Sequence, residues 1–147
     1  MKLAHASIIA APVERVWDVV MDVPRAAACV PGVAAVTPLG PDRFKGSLLV
    51  QIGPVRLALD GEIAVTARAD TGRRASLRAD AKDARLGGTV RAIVEISLTE
   101  RPAGCDLRIE SDVQIGGRIG EFGQPIIQRK ADQLLVQFAQ CLAKSAS

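Results

Sequence analysis

One stretch of this chain, residues 55–115, constrains its fold more than any other. Apolar and polar residues alternate through it in four long runs, and short turns that contain glycine separate the runs. Alternation with a period of two places apolar side chains on one face of a β-strand and polar side chains on the other. Four such strands joined by tight turns predict an antiparallel sheet, with one face in water and one face that another element must cover.

Turn residues set the boundaries of these strands. Asp-Thr-Gly at 70–72 is typical of a hairpin turn, and Gly-Gly at 87–88 reverses the chain again. The four predicted strands are Val55 to Arg68, Arg73 to Ala84, Val90 to Leu98 and Cys105 to Ile115. They are expected to pair in chain order.

The first third of the chain predicts three more strands and a helical region. The strands run from Lys2 to Ile9, from Val33 to Leu39 and from Phe44 to Ile52. A helix is expected to begin at Pro12, because proline is tolerated in the first helical turn, and to stop at Pro24. Residues 25–30 can add one or two further helical turns.

Helical spacing replaces alternation from Arg118 to Lys144. The apolar residues that recur there are Ile119, Phe122, Ile126, Ile127, Leu134, Leu135, Phe138, Cys141 and Leu142. Pro125 falls inside the run, where a proline either kinks a helix or marks a restart. We expect one kinked helix, and this helix is the natural cover for the apolar face of the sheet.

Length and composition are those of one folded domain. We expect an α+β fold with about seven antiparallel strands and a single domain over residues 1–147. The net charge of +3 comes from 19 basic and 16 acidic residues that are interspersed, and aromatic residues make up only 3% of the chain. Since platforms for stacking bases are scarce, nucleic acid is not an expected partner.

The cysteines and the single histidine argue against a metal site. Cys29, Cys105 and Cys141 lie far apart, outside the close spacings that bind zinc or exchange disulfides. We therefore expect them to be reduced, semi-buried residues of a cytoplasmic protein. His5 is the only histidine, so a histidine-based metal site or catalytic triad is excluded, and His5 is expected at an exposed strand position.

No transmembrane anchor is expected. The longest stretch without a charge, residues 26–41, is interrupted by prolines and glycines and is too short to span a bilayer as a helix. Peripheral contact with the inner face of the cytoplasmic membrane remains open.

Many positions on the predicted inner face are small. They are Gly46, Gly61, Ala67, Ala75, Ala79, Ala81, Ala92 and Ser111. Two explanations remain open. Small residues would let the sheet bend sharply and pack closely on the helix, or they would leave a cavity for an apolar ligand, at the cost of burial that larger side chains would provide.

Several segments of this chain resemble the CoxG family of carbon monoxide dehydrogenase subunits, within the START and polyketide cyclase (SRPBCC) superfamily. The segments are Ala-Pro at 11–12 with Val-Trp at 16–17, Val-Pro-Gly-Val at 30–33, Phe-Lys-Gly at 44–46, Ile-Gly-Pro-Val at 52–55, Asp-Gly at 60–61, and Asp-Val-Gln-Ile-Gly-Gly-Arg-Ile at 112–119 followed by Phe-Gly at 122–123. The resemblance implies a helix-grip fold, in which the curved sheet wraps around the long C-terminal helix and one or two short helices follow the first strand.

The resemblance also implies a role. Members of this family are accessory proteins of molybdenum hydroxylases of the carbon monoxide dehydrogenase type, which they link to the cytoplasmic membrane. A quinone or similar lipid in a hydrophobic cavity would suit that role, and no catalysis is expected of the protein itself. Many relatives carry a C-terminal extension that could anchor them, whereas this chain stops at Ser147, so stable anchoring is not implied.

The expected ligand site lies between the sheet and the last helix. The residues expected to line it are Trp17, Phe44, Leu48, Leu59, Gly61, Ile63, Leu77, Ala79, Ile109, Phe122 and Ile126. Trp17 and the phenylalanines are also candidates for the core. Gly116, Gly117, Gly120 and Gly123 are expected at the mouth, where they would act as a flexible gate or let the helix approach the sheet.

Two other functions remain open. A cyclase or dehydratase on the same fold would need polar catalytic groups inside the cavity, and Asp83 is the one carboxylate in the inward register. We expect the strand to end there, with Asp83 in solvent, since inside it would have a raised pKa unless paired. A structural assembly factor with a filled core is the third candidate.

Overall fold

A computed structural model describes residues 1–147, and all seven strands lie in one antiparallel sheet. The strands are β1 Lys2–Ile9, β2 Val33–Gly40, β3 Arg43–Ile52, β4 Val55–Ala69, β5 Arg74–Asp83, β6 Gly88–Arg101 and β7 Gly104–Gly117. Strands β2 to β7 pair in chain order as predicted, and β1 pairs with β7, which gives the order β1-β7-β6-β5-β4-β3-β2. The sheet therefore has β1 and β2 at its edges.

Three α-helices complete the fold. Helices α1 (Val13–Met21) and α2 (Val23–Ala28) connect β1 to β2, and the long α3 (Gln124–Ser145) follows β7. The side chain of Asp22 accepts a hydrogen bond from the backbone N–H of Arg25 at 3.4 Å, which caps the start of α2. Apolar residues of α1 and α3 pack on the inner face of the curved sheet. The predicted α+β helix-grip architecture is confirmed.

The start of the last helix differs from the prediction. Residues Arg118–Phe122 form a 3₁₀ turn, Gly123 then takes a φ of +86°, and α3 begins at Gln124. The prediction of one kinked helix is wrong, because this left-handed glycine breaks the helical path. Pro125 instead lies in the first turn of a new helix, where its missing N–H costs nothing.

A β-bulge changes the face of one predicted inward residue. The pairing of β4 with β5 shifts register between Val65 and Ala67. The alternation is correct up to Val65, but Ala67 is exposed, so its predicted inward position is wrong. The extra residue of the bulge, Thr66, moves the side chains that follow it to the opposite face.

Two of the three cysteines form a disulfide. Cys29, directly after α2, is bonded to Cys141 on α3, with their Cα atoms 5.3 Å apart. The prediction that all three cysteines are reduced is therefore wrong for this pair, since the fold brings together residues 112 positions apart in sequence. Cys105 is free and fully buried, and this burial raises the pKa of its thiol.

Candidate functional site on the inner face of the sheet

Most of the buried apolar residues gather at one end of the inner face. This large cluster contains 18 buried residues, among them Val16 and Trp17 of α1, Ile9 of β1, Leu107 of β7 and Leu142 of α3. It fixes the C-terminal half of α3 and the first helix on the sheet.

A second, separate cluster lies at the other end of the inner face. This small cluster consists of Val50, Leu57, Leu59 and Ile119, and half-buried residues such as Phe122 pack against it. Ile119 comes from the 3₁₀ turn and is 3% exposed. The turn therefore closes this end of the sheet with its own apolar side chain, a contact that sequence reasoning missed.

A row of five residues crosses the inner face and belongs to neither cluster. Phe44 pairs with Ile63, Ile63 with Ala79, Ala79 with Ala92, and Ala92 with Val113, so the row runs across β3 to β7. All five are half-buried, although they face the side of the sheet on which the helices pack. We call them the central row. The central row therefore separates the two closely packed apolar clusters of the interior.

Helix α3 presents a matching set of apolar side chains. Ile127, Ala131 and Leu134 follow the i, i+4, i+7 spacing of one helix face, and that stripe continues to Phe138 and Leu142. Phe138 and Leu142 are buried in the large cluster, whereas Ile127, Ala131 and Leu134 are half-buried and belong to neither cluster. The N-terminal half of α3 is thus less closely packed than its C-terminal half.

The structure divides the eleven predicted ligand residues among these regions. In or against the large cluster are Trp17, Ile109 and Leu77, and in or against the small cluster are Leu59, Leu48 and Phe122. The central row contains Phe44, Ile63 and Ala79. Gly61 pairs with Gly46 on one side and Ala81 on the other, and Ile126 is 49% exposed. Phe44, Ile63 and Ala79 thus have side chains that face inward and pack in neither cluster, and Gly61, which has no side chain, also lies outside both clusters.

Gly61 is small because two backbones approach closely. A Cβ atom there would lie 2.1 Å from the carbonyl oxygen of Asp80 and 2.7 Å from the Cβ of Ala81. At Gly46, across the pairing on β3, the nearest atoms would be at 3.4 Å. Gly61 therefore supports the bending explanation for small inner residues at this one position.

The four glycines predicted at the mouth have different environments. Gly117 ends β7 with a φ of +70°, and a Cβ there would lie 2.8 Å from the Cα of Gly88. Gly123 takes its positive φ at the start of α3, whereas a Cβ at Gly116 would lie 2.8 Å from the Oγ1 of Thr89. Gly120 has nothing closer than 3.9 Å. Backbone geometry accounts for Gly117 and Gly123, and their role as a gate stays a prediction.

Asp83 is buried, contrary to the expectation that it meets solvent. It is 2% exposed at the end of β5, and its carboxylate accepts hydrogen bonds from the backbone N–H groups of Ala58, Arg85 and Leu86, each at 2.8 Å. The bonds from Leu86 and Ala58 lower the pKa of this carboxyl group below its ordinary value. An ionised, fully paired carboxylate fixes the β5–β6 turn on β4 and is a poor general acid.

His5 also lies inside rather than at an exposed position. It shares the inner register of β1 with the buried residues Leu3 and Ile9, and it is half-buried. Its Nε2 and the Oγ of Ser7, two positions along the strand, are 2.7 Å apart and share a hydrogen bond. Because side chains alternate along a strand, His5 shares the face of Leu3 and Ile9, and this signal in the sequence could have placed it inside.

Depressions on the outer face of the sheet have a different character. Two of them, with volumes of about 350 and 330 Å³, are lined mainly by charged and polar residues, including Arg74, Glu95 and Arg108 in one and Asp60, Asp80 and Arg91 in the other. Such linings do not suit an apolar ligand. The inner face is therefore the candidate site.

Comparison with known families agrees with this architecture. The sequence model of CoxG, a family of carbon monoxide dehydrogenase subunits, matches residues 7–147. The chain belongs to the CoxG family. No protein with a curated description matches the chain.

Solved structures similar to this CoxG-family chain share its fold. A conserved protein from Geobacillus kaustophilus is 24% identical over 99% of this chain and 95% of its own, with a TM-score of 0.89. A START superfamily protein from Mycobacterium smegmatis is 15% identical over 97% and 94%, with a TM-score of 0.71. The Zhui aromatase/cyclase from a Streptomyces species is 15% identical over 99% and 93%, with a TM-score of 0.67. At these identities the likeness shows a START-type helix-grip fold.

The helices of this CoxG-family chain do not meet the requirements of a bilayer span. None of them is both long enough and apolar enough to cross a membrane.

Proposed function

We propose that this CoxG-family protein binds an apolar small molecule, a quinone or lipid, between the central row of the sheet and the N-terminal half of α3. The observation that carries the proposal is the row Phe44, Ile63, Ala79, Ala92 and Val113, which faces inward but packs in neither apolar cluster. A third apolar surface between two such elements would remove the remaining exposed area of their half-buried apolar residues from water, which is favourable.

The energetics favour an aliphatic ligand. Burial contributes about 0.8 kcal/mol per methylene, so each five-carbon isoprene unit would contribute roughly 4 kcal/mol before the costs of association. The walls of the site offer alanine, isoleucine, leucine and valine with few aromatic side chains. A chain of isoprene units or an acyl chain fits such walls better than a large stacked ring system does.

The partner proposed here is a molybdenum hydroxylase of the carbon monoxide dehydrogenase type. The family name supports this association. In this role the protein recruits the hydroxylase to the inner face of the cytoplasmic membrane or links it to the quinone pool, and it does not itself catalyse a reaction. The charged outer face of the sheet, which is separate from the ligand site, is the surface available to the hydroxylase.

A cyclase or dehydratase is the second candidate, because the similar structures include an aromatase/cyclase. Such an enzyme needs an acid or base in the cavity. Asp83 does not fit that need, since three backbone N–H groups hold it ionised. A structural assembly factor with no ligand is the third candidate, and close packing along the central row would favour it.

Native mass spectrometry of the protein purified from its own host tests the ligand. We expect a stoichiometric adduct, and solvent extraction should release a quinone or lipid. Protein without an adduct, which also shows no thermal shift when quinones are added, would contradict ligand binding and favour the assembly factor. Co-purification of hydroxylase subunits with the tagged full chain, compared with an unrelated tagged protein, tests the partner separately.

A further inference from the structure

The inner face of β1 carries two polar side chains, His5 and Ser7, between two buried apolar residues. His5 pairs with Ile109 and Ser7 pairs with Leu107, and both of these β7 residues are buried in the large cluster. On β1 itself, Leu3 and Ile9 flank the pair on the same face and are buried. An imidazole and a hydroxyl group in these surroundings lose hydration without any gain in apolar burial. Packing alone therefore does not explain why polar residues occupy these two positions.

Only one nitrogen of His5 has a partner. Nε2 shares a hydrogen bond with the Oγ of Ser7 at 2.7 Å, and the ring makes no other hydrogen bond. No side-chain nitrogen or oxygen of the protein is both fully buried and unpaired, so Nδ1 reaches accessible space. His5 itself is half-buried in the inner register of β1, an edge strand of the sheet.

His5 and the central row lie on the same face of the sheet, two rows apart. The row that ends at His5 contains Ala75, Ile96 and Ile109, which are all buried in the large cluster. In the adjacent row, Leu3 is buried and Leu77, Val94 and Ser111 are half-buried, and beyond it lies the central row. On the same face of the sheet, the imidazole is thus separated from the central row by one row of residues.

We propose that His5, oriented by Ser7, is the hydrogen-bonding anchor for an oxygen atom of the apolar ligand. This inference rests on the proposed function and adds the chemistry of the ligand: an apolar molecule that carries a carbonyl or hydroxyl oxygen. When the hydroxyl group of Ser7 donates to Nε2, the proton of the neutral ring is on Nδ1, which donates to a carbonyl oxygen. In the other tautomer Nε2 donates to Ser7 and Nδ1 accepts from a hydroxyl group.

The anchor is a feature of this chain and does not follow from its family match. The match to the CoxG family begins at residue 7, so His5 lies outside the matched residues. His5 is also the only histidine of the protein. Its ring resonances can therefore be assigned without ambiguity.

A pair of probes that differ only in their oxygen atoms tests the anchor. The probes are 2,3-dimethyl-1,4-naphthoquinone, which has two carbonyl groups, and 2,3-dimethylnaphthalene, which has none. Calorimetric titration of the full chain compares wild type with His5→Phe, Ser7→Ala and the outer-face control Ala6→Ser. Circular dichroism and thermal melting confirm that each variant is folded, and His5→Gln keeps a donor and an acceptor if the phenylalanine variant does not fold.

The expected result is a selective loss. His5→Phe should weaken binding of the quinone by about 5-fold to 10-fold, the effect of one lost hydrogen bond, and leave the hydrocarbon within about 2-fold of wild type. Ala6→Ser should change neither. In the wild type, the Nδ1 resonance of His5 should shift with the quinone but stay in place with the hydrocarbon.

Two outcomes overturn the anchor. If His5→Phe binds both probes as wild type does, or loses both equally, His5 makes no specific bond to an oxygen, while ligand binding itself stands. If the wild type binds neither this quinone nor the hydrocarbon, and its native mass spectrum shows no lipid adduct, the proposed function fails and the anchor fails with it.

Discussion

The indole N–H of Trp17 donates a hydrogen bond to Oδ1 of Asp70 at 3.0 Å, and this bond ties helix α1 to the tip of the β4–β5 hairpin. The same carboxylate oxygen accepts from the Nε of Arg68 at 2.6 Å. A second link joins the two elements, because Arg73, with a φ of +50°, pairs with Glu14. Trp17 is therefore a core anchor that also positions the hairpin tip, and its predicted contact with a ligand stays a prediction.

Because Trp17 donates a hydrogen bond to Asp70, we expect the indole N–H resonance of Trp17 to report an acid transition of that carboxyl group. Bonds from Arg68 and then from Trp17 lower the pKa of Asp70 below its ordinary value of 3.8. Because the folded-state pKa is depressed, the stabilisation is present above the ordinary value and is lost as the pH falls through the folded-state pKa. The indole N–H resonance of the single tryptophan should therefore move with a midpoint below 3.8.

Asp70→Asn is the control for that titration. The asparagine side chain does not ionise, so the acid transition of the indole resonance should disappear while the protein stays folded at neutral pH. A wild-type midpoint at or above 3.8, or the same transition in the variant, would show that the bond does not govern the resonance.

Replacing Asp83 with asparagine should destabilise the protein most at neutral pH. The carboxylate uses Oδ1 for Arg85 and Leu86 and Oδ2 for Ala58, whereas an amide offers only one acceptor oxygen. At least one backbone N–H is then left without its acceptor. Since the pKa of Asp83 is also lowered, its contribution is present above the ordinary value and is lost as the pH falls through the folded-state pKa.

Urea unfolding at a series of pH values measures this effect. The free energies of unfolding of wild type and Asp83→Asn should differ at pH 7 and converge towards acid pH. Asp80→Asn, on the same strand, removes a carboxylate that pairs with Arg78 and Arg91 on the outer face; it is the matched control and should cost less than Asp83→Asn at pH 7. Equal losses in the two variants would contradict a structural role for the buried carboxylate.

The sequence predicted the sheet well because alternation is a local signal. Each strand from Val55 onward shows its inner face in its own residues, and the error at Ala67 comes from a bulge that pairing with β5 reveals. Asp83 had the correct register, but its three backbone donors come from β4 and from the following turn. A single strand pattern contains no information about such partners.

Contacts between distant elements were not predictable in the same way. The disulfide depends on how α2 and α3 pack, and nothing near Cys29 or Cys141 in sequence indicates it. The break before α3 depends on the backbone of Gly123, because Pro125 alone allows either a kink or a restart. The expected exposed position of His5 is wrong, although its place between Leu3 and Ile9 indicated the inner face.

The disulfide predicts a specific count of free thiols. Under non-reducing conditions, alkylation of the denatured protein should modify only Cys105, and after reduction all three cysteines should react. Cys141→Ser should lower the free energy of unfolding by about 2–4 kcal/mol, because the bond restricts the unfolded chain across a long loop. With dithiothreitol present, wild type and variant should have nearly the same stability. Three reactive thiols in freshly purified protein would show that the pair is reduced in the host.

The packing along the central row is tested by a pair of adjacent substitutions on β6. Ala92 faces inward in the row that joins neither cluster, whereas Ile93 is 60% exposed on the other face. If space lies above the row, Ala92→Phe should cost less than about 1 kcal/mol of stability, because overpacking a filled core costs about 1–3 kcal/mol. The new ring should also occupy the proposed site and abolish the ligand adduct in the native mass spectrum.

Ile93→Phe, the outer-face control, should leave both the stability and the adduct unchanged. A large loss of stability for Ala92→Phe alone would mean that the sheet and α3 are closely packed there, and the small residues would then be a device for bending the sheet.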